Sequence, residues 1–138
     1  MIEILHGTVE HGDARGREIG FPTANLRIDD REHLDGVWAG YAEVDGLRHA
    51  ASISIGRRPT YYPDNAYRLA EIHILDFQGN LYDKVMSVEL TTFIRGQQRF
   101  NNSRELISQI VEDVRITREL TDPSEKFIRL PWIGLVAA

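Results

Sequence analysis

Apolar and polar positions along the chain change their spacing once, and that change divides it into a strand-rich stretch and one helix. Residues 2–9 read as a first strand, and the runs 36–44 and 47–55 flank Asp45-Gly46, a dipeptide suited to the tight type I′ turn of a hairpin. A second pair of strands, 69–77 and 84–94, lies around Gln78-Gly79-Asn80 and is enriched in β-branched and aromatic residues. Several short strands separated by turns predict a barrel. Near the end the period becomes helical. Asn102 with Glu105 three residues on resembles a capping box, and Leu106, Ile107, Ile110, Val111 and Val114 recur on one face. That face is expected to cover the barrel. Asp122-Pro123 ends the helix, because proline disfavours helical geometry in the residue before it.

Beyond the helix, the segment 126–138 with Trp132 has three readings: it packs back on the barrel, covers a functional site, or forms a poorly ordered tail. Packing is the favoured one. No internal repeat, low-complexity run or linker interrupts the chain. At 138 residues it is expected to form one domain over 1–138, with a core of about 2–121 and a C-terminal extension at 122–138.

Composition narrows the function classes. The absence of cysteine removes disulfides and thiolate chemistry. Sixteen Lys and Arg against 21 Asp and Glu give a formal charge of -5, unlike the basic stripe of a general nucleic-acid binder. No apolar run approaches the roughly 20 residues of a membrane span. Glu3 and His6 stand where a secretory leader would have a basic start and an apolar core. A cytoplasmic protein with no nucleic-acid or membrane partner is the expectation. His6, His11, His33, His49 and His73 show no zinc spacing.

The densest chemical signal is the segment 11–26, HGDARGREIGFPTANL. Gly12, Gly16 and Gly20 let main-chain N–H groups approach a ligand, and such concave runs of amides bind anions. Arg15 and Arg17 add fixed cations suited to phosphate. After Pro22, Thr23 and Asn25 stand two apart, so their side-chain oxygens share a side and form hard donors suited to Mg²⁺. A plain glycine-rich loop is the alternative for a generic pattern of this kind. No G-x-x-x-x-G-K-[ST] sequence occurs, nor does the protein-kinase set of glycine loop, strand lysine, HRD and DFG.

Outside the loop, Glu71 shares a strand face with Leu69, His73, Leu75 and Phe77, an acid in a largely apolar strand. Burying it unpaired would be costly. A carboxylate can orient an alcohol and accept its proton during phosphoryl transfer. An ion-paired or solvated glutamate is the structural alternative.

Residues 20–25, Gly-Phe-Pro-Thr-Ala-Asn, match without substitution the signature of the riboflavin kinase family, which the chain closely resembles. Further matches follow in order: the segments 36–40, 54–60 and 69–75, then 95–100 and Asp113. Together they cover roughly residues 7–120.

The resemblance implies a compact six-stranded antiparallel Greek-key β-barrel with a C-terminal α-helix packed on it. It implies transfer of the ATP γ-phosphate to the ribityl 5′-hydroxyl of riboflavin, giving FMN and ADP. Glu71 would be the catalytic base, and Thr23 and Asn25 would hold Mg²⁺. Gly12, Arg15, Gly16, Arg17, Gly20, Pro22 and Thr23 would bind the nucleotide phosphates, and Tyr82 would lie near the adenine. Arg95, Phe100 and Asp113 would lie about the flavin. Tyr82 also reads as a cross-strand packer ending a hairpin, and Phe100 as an anchor between helix and barrel.

The chain departs from the family pattern at three places. Gln97 stands where a Glu is common, Gly96 where a proline is frequent, and Ser54 where many bacterial members have Asn. Bacterial relatives commonly carry this domain behind an adenylyltransferase domain, so the chain is either a standalone kinase or part of a longer bifunctional protein. Two other functions are weighed beside the kinase. One is a catalytically silent flavin- or nucleotide-binding regulatory module. The other is a structural interaction barrel, which leaves the intact signature unexplained.

Overall fold

A computed structural model describes residues 3–11, 23–29, 31–57, 68–122, 127–130 and 134–137, the last two stretches as backbone. Its strands are β1 (Glu3–Thr8), β2 (Ala24–Ile28), β3 (Gly36–Val44), β4 (Leu47–Gly56), β5 (Arg68–Ile74) and β6 (Val85–Arg95). They pair antiparallel in the order β1-β6-β3-β4-β5-β2. The two edges return to one another, where the Glu10 N–H donates to the Asn25 carbonyl at 2.8 Å. The result is a nearly closed six-stranded barrel with one C-terminal helix, α1 (Ser103–Leu120).

The β3–β4 hairpin turns where the pattern places it. Asp45 and Gly46 both have positive φ, 53° and 79°, as a type I′ turn requires. Across the other edge of β3, the pairing with β6 shifts register twice, between Val37 and Trp38 and between Ala39 and Gly40. At the second shift a Cβ on Gly40 would stand 1.9 Å from the Glu89 carbonyl oxygen. Only glycine lets the two strands approach there.

Alternation along each strand sorts the residues. Leu26, Ile53, Ile55, Ala70, Ile72, Met86, Val88 and Leu90 point inward and form a dry core. Burying such side chains contributes about 25 cal/mol per Å² of apolar area. One mouth of the barrel is closed. There the buried Arg68 makes a two-pronged pair with Asp35 at 2.7 and 3.0 Å. The indole N–H of Trp38 donates to the Leu34 carbonyl beside it, and Phe93 packs edge-on against the same indole.

Two expectations are corrected. β5 and β6 are not partners: β5 lies between β4 and β2, and β6 between β1 and β3. The chain between them crosses the open mouth of the barrel instead of closing a hairpin, using positive φ at Asp76, Gly79 and Asp83. Residues 24–28, read only as a ligand segment, form an edge strand that completes the barrel. The helix begins as expected, with Asn102 Oδ1 accepting from the Glu105 N–H at 2.9 Å and Glu105 Oε2 accepting from the Asn101 N–H at 3.1 Å. Its deeply buried members, however, are Asp113 and Thr117, while Val111 is 53% exposed. The expected face still covers the barrel, since Leu106, Ile107, Ile110 and Val114 are half-buried, and the Arg95–Asp113 ion pair is buried beside them.

Past the helix, Phe127–Leu130 (β7) and Gly134–Ala137 (β8) pair with each other, and β7 meets β4 at Leu47. The extension returns to the barrel as an added hairpin.

Candidate active site

Register on the outer face of the sheet assembles a polar row from three strands. Asn25 of β2 is the partner of Glu71 of β5, and Glu71 is in turn the partner of Ser54 of β4. Directly paired residues project from the same face with Cβ atoms roughly 4.5–5.5 Å apart. Glu71 therefore stands between an amide and a hydroxyl, half-buried. The inward neighbours Ala70 and Ile72 belong to the core, so packing on the far side holds the strand that carries the acid.

Asn25 is 7% exposed, and its Oδ1 has no hydrogen-bond partner among the described residues. Burying such an acceptor unsatisfied costs about 1–3 kcal/mol, a cost that persists where a ligand repays it. Two residues earlier the exposed Thr23 lies at the barrel's open mouth. An amide oxygen and a hydroxyl on one side of a strand suit a hard cation that draws its remaining ligands from phosphate and water. Among the described residues no group of three His, Cys, Asp or Glu could hold a metal. The donor set thus fits Mg²⁺ held jointly with a nucleotide.

That open mouth is a cavity of about 300 Å³. Val9, Ala24, Ile72 and Ile74 form its apolar floor, and Phe77, Asn80 and Tyr82 from the crossing segment form its rim. An apolar slot with a few polar groups at its edge suits a planar heterocycle. Tyr82 is thus a wall of this cavity as well as a neighbour of the core. The expectation that it ends a hairpin fails with the hairpin itself. Phe77 and Asn80 escape sequence reasoning because a Gly-Asn turn gives no sign that it spans a barrel mouth.

The other expected residues sit at the end of β6 and beyond it. Asp113 on α1 receives the Arg95 guanidinium through two hydrogen bonds, Nε to Oδ1 at 2.9 Å and Nη2 to Oδ2 at 2.7 Å. Gln109 Nε2 adds a third to Oδ1 at 3.0 Å. The carboxylate, 95% buried as a side chain, thereby has both oxygens hydrogen-bonded within the protein. Phe100 is half-buried near the start of the helix. Between them, Gln97 donates from Nε2 to Ser54 Oγ at 3.0 Å and to the Ile55 carbonyl at 2.8 Å. Two of the three departures, Gln97 and Ser54, are therefore in contact, and they fasten the 96–100 loop beside Glu71. Gly12, Arg15, Gly16, Arg17, Gly20 and Pro22 lie outside the described residues.

The family model for riboflavin kinase, Flavokinase, matches residues 3–121. The chain belongs to the riboflavin kinase family. A bifunctional riboflavin kinase/FMN adenylyltransferase of Listeria monocytogenes is 40% identical over 114 residues, covering 81% of this chain and 36% of that protein. The corresponding protein of Escherichia coli K12 is 39% identical over 127 residues and is covered to 39% of its length. The chain thus spans less than two fifths of these relatives. Among solved structures, riboflavin kinase from Trypanosoma brucei superposes with a TM-score of 0.64 at 24% identity, over 86% of this chain and 76% of that one. This likeness concerns the fold alone. A Streptococcus pneumoniae structure described as a macrolide-efflux protein gives a TM-score of 0.75 at 33% identity, over 86% of this chain and 39% of that one. No helix among the described residues of the present family member is long and apolar enough to cross a membrane.

Proposed function

We propose that this domain transfers the γ-phosphoryl group of ATP to the ribityl 5′-hydroxyl of riboflavin, releasing FMN and ADP. The observation that carries the reading is the placement of Glu71 between Asn25 and Ser54, on a strand whose neighbours lead into the open cavity. The adenine would enter the cavity against Tyr82, directing the phosphates towards Thr23 and the glycine-rich turn. There the amides after Gly12, Gly16 and Gly20, with Arg15 and Arg17, would cradle them. Thr23 and Asn25 would hold Mg²⁺, whose charge offsets that of the phosphates.

Glu71 would accept a hydrogen bond from the 5′-hydroxyl, orient it towards the γ-phosphorus and take its proton as the new O–P bond forms. The bond from the γ-phosphorus to the bridging oxygen breaks, and ADP leaves with that electron pair. Most of the acceleration would come from holding the reactants together in a water-poor site. The flavin would lie towards the 96–100 loop. Arg95 and Asp113 would shape that side by fixing each other, since Asp113 already accepts three hydrogen bonds. In a longer bifunctional protein the FMN would supply an adenylyltransferase domain, in the cytoplasm where ATP is available.

The test is chromatographic detection of FMN from riboflavin, ATP and Mg²⁺, with Glu71→Gln beside the wild type. FMN formation that depends on Glu71 supports both the activity and the base. Flavin binding without FMN would mark a silent binding module.

A further inference from the structure

The cavity wall Tyr82 is itself supported from outside. His11 stacks on its ring, with centroids 3.9 Å apart and planes inclined by 25°. His11 does not line the cavity. It backs the residue that does.

The backbone around this stack is tied on both sides. The Val9 N–H donates to the Lys84 carbonyl and the Asp83 N–H to the Val9 carbonyl, each at 2.9 Å. The Tyr82 N–H donates to Asn80 Oδ1 at 2.9 Å. Asp83, held at positive φ, brings its carboxylate 3.7 Å from His11 Nε2. At 65% and 83% side-chain exposure that ion contact is worth little. The stack, not the charge, is the stronger link.

We infer that His11 is a positioning residue for nucleotide binding, holding the Tyr82 ring as a preformed wall for the base. The inference rests on the proposed placement of the nucleotide base in this cavity. A tyrosine at an open mouth otherwise loses rotamer freedom when the ligand binds, and affinity falls by that ordering cost. A ring stacked on its outer face removes much of the cost beforehand.

The test measures dissociation constants for Mg-ADP by calorimetry, with kcat and riboflavin affinity, on the full chain. His11→Ala is expected to weaken Mg-ADP about three- to tenfold, the range of an aromatic pair, while kcat, riboflavin affinity and Tm stay near wild type. His11→Phe, which keeps the stack and removes the ring nitrogens, is expected to restore binding. In a Tyr82→Ala background His11→Ala should add nothing.

Wild-type affinity in His11→Ala, with weakened affinity in Tyr82→Ala, overturns the inference and leaves the base site intact. Additive losses in the double variant overturn it as well, because His11 would then act independently of Tyr82. Unchanged affinity in Tyr82→Ala itself refutes the base site, and the inference with it.

Discussion

The two sides of Glu71 are built on opposite plans. Towards the open mouth, Asn25 Oδ1 is buried without a partner among the described residues, Thr23 is exposed and a cavity of about 300 Å³ stands over an apolar floor. Towards the helix, the Arg95, Asp113 and Gln109 side chains are joined by three hydrogen bonds, and Gln97 has found Ser54 and Ile55. Asn25 keeps unmet hydrogen-bonding capacity, whereas Arg95, Asp113, Gln109 and Gln97 have spent theirs on the fold, with Thr117 Oγ1 on α1 the exception among the described residues of that side. Polar residues of similar type thus have different duties. An unsatisfied buried acceptor points to a ligand, whereas a carboxylate hydrogen-bonded at both oxygens holds two elements together.

Substitutions can break or sharpen this contrast. Glu71→Gln, at the boundary, should cause the largest change: kcat falling about 10³-fold, in the range for loss of a general base, with flavin binding retained. Near-wild-type turnover would remove Glu71 from the chemistry. On the helix side, Asp113→Ala strands the Arg95 guanidinium in a largely buried place. It should lower stability by about 3 kcal/mol in urea unfolding. A loss confined to flavin affinity would instead make Asp113 a ligand-binding group.

Asn25→Ala should show the reverse profile. Removing an acceptor that has no partner among the described residues relieves its burial cost, so stability should hold or rise, while the Mg²⁺ concentration needed for half-maximal FMN formation rises several-fold. Equal stability losses in Asn25→Ala and Asp113→Ala would erase the distinction between the two sides.

Gln97→Ala, losing one exposed and one part-buried hydrogen bond, should raise the riboflavin KM a few-fold with kcat nearly unchanged. The smallest effect belongs to the helix surface. Arg115 hydrogen-bonds Glu112 and holds its carboxyl below the usual range. Such a group favours the fold above its unfolded pKa, and its contribution is lost as pH falls through the lower folded value. Because the pair lies at the solvent-facing surface with each side chain about half exposed, Arg115→Ala should leave Tm at neutral pH unchanged within error and soften the acid limb of the stability curve only slightly.

Local chemistry was legible wherever neighbours in sequence decide geometry. Asp45-Gly46 specifies its own turn because both residues tolerate positive φ, and Asn102 with Glu105 caps a helix from within four residues. The 20–25 string marks the family, and strand alternation sets Glu71 apart from the inward Ala70 and Ile72. The β5–β6 partnership was misread because adjacent strands with a short polar link look alike whether the link is a hairpin or a crossing. Loop composition does not encode which edge a strand joins.

The sequence by itself determined most of the strand-and-helix pattern, though not the edge strand at 24–28, together with the turn, the cap, the family and the kinds of side chain available for phosphate, metal and proton transfer. All of these are carried by residues a few positions apart, through backbone preference and side-chain chemistry. Tertiary structure alone decided that Asn25, Glu71 and Ser54 form one row, that Tyr82 walls a cavity with His11 behind it, and that Asp113 is occupied by Arg95. Those facts depend on register and helix rotation, which are set by how distant segments share one core and satisfy each other's buried polar groups.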